Sequence, residues 1–223
     1  MQNNAVIQQV LNRTERRIEQ LDPVDKPTLK VIATPVSIDR PMIQPSGIYD
    51  LYERWAGVKR VAGGVCVFAE PSDDDPDQSI DLYAELNEYG VVYYRRHLYE
   101  NSGIPYFINN IHKLLKHAKT LYSPCDASVD IRIHASVNNV FKEKLEKNLG
   151  RGGPIHLHSE PVCYDSEVCV STAEIYASTD FDNAAHRKTI LEELTMPLLW
   201  AFNVPTQSDS IVEYVRDLIR QNV

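Results

Sequence analysis

The chain has 223 residues, 43% of them hydrophobic and 24% charged, which is enough to bury an ordinary core without disulfide or metal staples. Its formal net charge of −8 opposes non-specific binding to nucleic acid or anionic lipid, while leaving room for a local basic face. No run approaches the roughly 18 consecutive apolar residues of a membrane helix, and Arg13, Arg16 and Arg17 fall where a secretory leader would be apolar, so a soluble, cytoplasmic chain with no membrane partner is expected.

From Asn4 to Leu21, Ile7, Leu11, Thr14, Ile18 and Leu21 form one mainly apolar stripe, as an amphipathic helix requires. Pro23 and Pro27 bracket a connector, which makes residues 1–24 a separable helix or linker ahead of a domain spanning 25–206. "TLKVIATPV" has the β-branched content of a strand, with Pro35 confining its end to an edge or a sheet exit. A helical turn or two is expected from Ser46 to Trp55, then a strand at "GGVCVFAE". "IDLYAEL" and "VVYYRRHL" follow, joined by "NEYG" as a hairpin loop, so three adjacent antiparallel strands are expected.

The clearest periodicity runs from Ser102 to Tyr122, where Ile104, Phe107, Ile108, Ile111, Leu114, Leu115, Ala118 and Leu121 mark the buried face of a helix with Ser102 as its N-cap. In "ASVDIRIHASV", Val129, Ile131 and Ile133 alternate with Asp130, Arg132 and His134, the pattern of a half-buried strand. Residues 141–153 read as a charged helix or loop, and "PIHLHSEPV" and "EVCVSTAEIYAS" as two more strands. A helix interrupted at Pro197 is expected from Asp182 to Asn203, and a terminal one over 207–223 with Ser210 and Glu213 as a capping box. The fold class is therefore α+β: a mainly antiparallel sheet of six or seven strands packed by two long helices, with flanking N- and C-terminal helices. A mixed α/β sheet is the alternative.

The stretch "GRGGPIHLHSEPVCYDSEVC" gathers the residue types of a site. His156 and His158 lie two apart on one strand face, as a metal pair would, but no turn fixes Cys163, Cys169 or Glu160 as further ligands, so His156, His158 and Cys163 are rejected as a metal site. "GRGGP" has no following lysine and is not a phosphate loop; Gly150 suits a helix C-terminus instead. Asp73, Asp75 and Asp77 have calcium-loop spacing, but Gln78 and Ala84 stand where glycine and glutamate are needed. Cys66, Cys125, Cys163 and Cys169 form no CxxC pair and are expected to stay reduced. Nothing in the sequence calls for a cofactor, and no catalytic residue is assigned.

One surface feature remains. His112, Lys113, Lys116, His117 and Lys119 crowd the predicted outer face of the 102–122 helix without an acid among them, a pattern suited to phosphate contact as well as to plain solvation. Lys142, Lys144, Lys147 and Arg151 are candidates to extend it, with Glu143 and Glu146 interleaved.

The segments "LYAELNEYGVVYYRR", "FINNIHKLLKHAKTLY", "SVDIRIHASVNN" and "LEELTMPLLWAFNVP", in that order, resemble the domain that follows the Schlafen AlbA-type DNA-binding module in prokaryotic proteins, over residues 28 to 206. The resemblance implies that nucleic-acid chemistry sits in the preceding module and that this chain is its detached companion. The expected function is then a non-catalytic accessory domain in a DNA-associated prokaryotic system, defensive or regulatory. Its expected contacts are a protein partner or a second copy of itself, and nucleic acid through the basic helix face. The alternative is a hydrolase-type enzyme with a Cys–His or metal site assembled around residues 156–169.

Overall fold

The computed structural model describes residues 3–22, 26–38, 40–53, 57–68, 80–99, 102–124, 128–140, 142–145 and 161–223. In chain order the elements are α1 (Asn3–Leu21), β1 (Thr28–Pro35), α2 (Pro45–Tyr52), β2 (Val58–Val61), β3 (Gly64–Phe68), β4 (Leu82–Asn87), β5 (Val92–His97), α3 (Ile104–Tyr122), β6 (Asp130–Asn138), β7 (Glu167–Ser171), β8 (Tyr176–Ala177), a 3-10 turn (Ser178–Asp182), α4 (Ala184–Ala201) and α5 (Asp209–Asn222). Among the described residues the strands form one antiparallel sheet of eight in the order β2-β3-β4-β5-β1-β6-β7, with β8 also paired to β6. The α+β expectation holds; among the described residues β2 and β8 add to six of the expected strands, while residues 154–160 of the strand expected at "PIHLHSEPV" lie outside them.

The hairpin reading of β4 and β5 is correct, and Gly90 explains its tightness. Its φ of 77° is a conformation that other residues resist, and a Cβ there would meet Met42 Sδ at 2.7 Å. β7 and β8 are one strand pattern broken by two extra residues: His134 pairs with Ser171, but Ile131 pairs with Tyr176. Thr172, in the bulge, donates its N–H to Ile133 O at 2.9 Å.

Alternation along the strands divides the sheet into two faces. Leu29, Val31 and Ala33 of β1, Tyr94 of β5, and Ile131, Ile133, Ala135 and Val137 of β6 face one side and are buried. The apolar stripe of α3, including fully buried Phe107, Ile111, Leu114 and Leu115, packs into the same core with α2, α4 and α5. α4 runs through Pro197 without the interruption expected there. The backbone hydrogen bond lost at a helix-interior proline is offset by burial of Ile190, Leu191, Leu194, Leu198 and Leu199.

The opposite sheet face is largely polar and is covered in part by α1. Although Pro23 and Pro27 set this helix apart in sequence, it is not separate in space. Val10, Thr14 and Ile18 are buried, with Ile18 joining Cys66, Phe68, Ile80, Tyr83 and Tyr93 in a second small core. Arg17 pairs with buried Glu85, and Asp22 accepts from Arg95 Nη1 at 2.7 Å and pairs with His97 Nε2 at 3.0 Å. α5 likewise buries Ile211, Val215 and Ile219 in the main core.

Local boundaries differ in instructive ways. Gly103, not Ser102, is the N-cap of α3, because the Ser102 hydroxyl is engaged by the Tyr99 N–H at 2.9 Å. α5 begins two residues earlier than Ser210 suggests, with Ser208 as N-cap. Of residues 141–153, the described 142–145 are a turn and a bridge, the loop alternative of the expectation: Lys142 has a φ of 64°, its N–H donates to Cys163 O at 2.7 Å, and Lys144 bridges Val162.

Candidate functional site

The C-terminal half of α3 places His112, Leu115, Lys116 and Lys119 at helical spacings of three and four, so they line one strip of the helix surface. That strip meets Phe181 of the 3-10 turn, Arg187 of α4, and Asn222 and Val223 at the end of α5, enclosing a cleft of about 200 Å³. Three cationic side chains and one histidine thus converge from two helices beside apolar walls from Leu115 and Phe181.

The five basic-face residues do not share one exposed surface. Lys116 and Lys119 are exposed and Lys113 is half-buried, but His112 and His117 are 5% and 9% exposed, which corrects their assignment to the outer face. The reason is that a helix with neighbours on three sides buries its shoulders as well as its inner stripe. His112 sits on the shoulder under the end of α5, and His117 on the one beside Tyr52 and Tyr94, with ring centroids at 6.2 and 6.1 Å.

Burial also sets the charges. It pushes the His112 imidazole down to about 4, assisted by Lys116 and Arg187, so the ring is neutral at pH 7. His117 is likewise lowered to about 4 by burial and by Lys113. The Lys113 ammonium is lowered by burial and by Arg96. In the cleft, Lys119 Nζ pairs with exposed Asp182 Oδ1 at 2.5 Å, while Arg187 donates to Phe181 O at 2.7 Å and to the Val223 main-chain oxygen at 3.5 Å. His112 Nδ1 is buried without a hydrogen-bond partner.

Arg187 is the member of this group that sequence reasoning missed. It lies 75 positions beyond His112 in an ordinary helix start, and nothing in its local pattern distinguishes it.

The other candidates fare differently. His156, His158, Glu160, the glycine run, Lys147 and Arg151 lie outside the described residues, as do Cys125 and the aspartates at 73, 75 and 77. Cys163 is fully buried, its thiol raised by burial, and its Sγ lies 3.5 Å from Asp165 O, an environment that disfavours a nucleophilic thiolate. Cys66, Cys163 and Cys169 are free thiols, Cys169 being exposed. Among the described residues, no group of three or more His, Cys, Asp or Glu side chains is placed to hold a metal ion, and no helix is long and apolar enough to cross a membrane. No family model, curated protein or solved structure matches the chain.

Proposed function

We propose that this domain is a non-catalytic accessory module that contacts nucleic-acid phosphates through the C-terminal half of α3, within a DNA-associated prokaryotic system in which it also meets a protein partner or a second copy of itself. The observation that carries the reading is the convergence of Lys116, Lys119 and Arg187 on one cleft in a chain whose net charge is −8. Cations gathered against the overall charge favour a local anionic ligand, and phosphate is the anion that lysine and arginine recognise together. The neutral His112 beside them is suited to donating a hydrogen bond, not to adding charge.

The experiment is fluorescence anisotropy with labelled single- and double-stranded DNA and RNA over a salt series. Binding should weaken as salt rises, because each neutralised phosphate releases counterions, and the double variant Lys116→Glu/Lys119→Glu should abolish it. No binding to any of these probes at low ionic strength would refute the proposal.

A further inference from the structure

We infer that the cleft takes a terminal phosphate, the phosphomonoester at the end of a nucleic-acid strand, in preference to an internal phosphodiester. This deepens the phosphate-contact reading and rests on it.

Three features of the cleft lead there. The first is shape: Lys116 and Lys119 stand exposed at the rim, whereas His112 lies 5% exposed between Leu115 and the end of α5. A continuous backbone passing over α3 can touch the rim lysines, but its flanking sugars keep the phosphate from descending to His112. A phosphate at a strand end has one ester link and can enter end-on.

The second is charge. An internal phosphodiester carries one negative charge, whereas a phosphomonoester carries about −1.5 to −2 at pH 7 and offers three terminal oxygens. The groups facing the cleft are Lys116, Lys119, Arg187 and Asn222, with Asp182 offsetting Lys119 at the rim and the Val223 carboxylate oxygen accepting from Arg187 at 3.5 Å, which leaves one net positive charge. Three cations whose present acceptors are a rim carboxylate and a 3.5 Å contact can turn to the three terminal oxygens of a phosphomonoester.

The third is the unsatisfied histidine. Nδ1 of His112 is sealed against the protein without a partner, so the neutral tautomer that carries its proton on Nε2 leaves no buried N–H orphaned. That tautomer supplies a neutral hydrogen-bond donor beside the cations Lys116, Lys119 and Arg187 that line the cleft. A phosphate oxygen entering the cleft would accept from Nε2–H, while Nδ1 stays a buried, unprotonated acceptor.

The test compares DNA strands of one sequence bearing a 5′-phosphate, a 3′-phosphate or hydroxyls at both ends, in the same anisotropy assay, with inorganic phosphate as competitor. A phosphorylated end should tighten binding on the order of tenfold, the worth of about one charge-assisted hydrogen bond. Inorganic phosphate should erase that advantage. Arg187→Gln should reduce the preference to parity, as should Lys116→Gln, which alters an exposed side chain and leaves the fold intact if Arg187→Gln does not. Equal, salt-dependent binding of all three strands would overturn the terminal-phosphate inference while leaving the phosphate-contact reading standing. Absence of binding to any strand would overturn both.

Discussion

Acidification should loosen this fold through His117, and the size of the effect follows from the ring's surroundings. In the unfolded chain its imidazole titrates near its ordinary value of about 6.5. In the fold the ring is enclosed by Tyr52 and Tyr94 and faces Lys113, which together hold it down to about 4. Because the folded-state pKa is lowered, the unfolded chain binds the extra proton between these two values. Stability is therefore fully present above about 6.5 and is lost as pH falls toward about 4. For one such group the loss between about pH 7.5 and about pH 5 is about 2 kcal/mol, a large part of the roughly 5–15 kcal/mol that holds a domain together. His112, His97 and His134 are lowered too and act with the same sign. Urea unfolding of the wild type and of His117→Gln at both pH values measures this directly. The variant should be less stable at neutral pH, yet should lose about 2 kcal/mol less on acidification. Parallel losses in the two proteins would refute the assignment of His117 as a buried neutral base.

Ile111 is fully buried in the middle of α3, so Ile111→Ala should cost about 2–5 kcal/mol in urea unfolding. The exposed Lys116→Ala should stay within roughly half a kcal/mol. Asp22→Ala should cost about 3–5 kcal/mol, because it leaves Arg95, 7% exposed, without its carboxylate beneath α1. Breaking the half-exposed Lys30–Glu15 pair by Lys30→Ala should cost at most about 1 kcal/mol, and thermal unfolding of the two variants side by side checks the contrast. If Asp22→Ala proves as mild as Lys30→Ala, α1 does not dock as described.

What could be read along the chain was whatever a local period imposes. The repeat of Phe107, Ile111, Leu114 and Ala118 decides which side of α3 is buried, since side chains three and four apart must share a face. The alternation of Ile131, Ile133, Ala135 and Val137 does the same for β6, and Gly90 marks the turn that only a residue without a Cβ makes easily. Tertiary structure decided everything that depends on partners distant in sequence. β1 lies between β5 and β6, a placement to which its own residues contribute only hydrophobicity. α1 lies on the sheet because Arg17 and Asp22 meet Glu85, Arg95 and His97 some 70 residues on. The candidate site divides along the same line. Lys116 and Lys119 were visible as an acid-free run on one helix, but the neutrality of His112 and the arrival of Arg187 depend on the end of α5 and the start of α4 packing against α3. Burial and charge are properties of a residue's surroundings, and those surroundings exist only once the chain has folded.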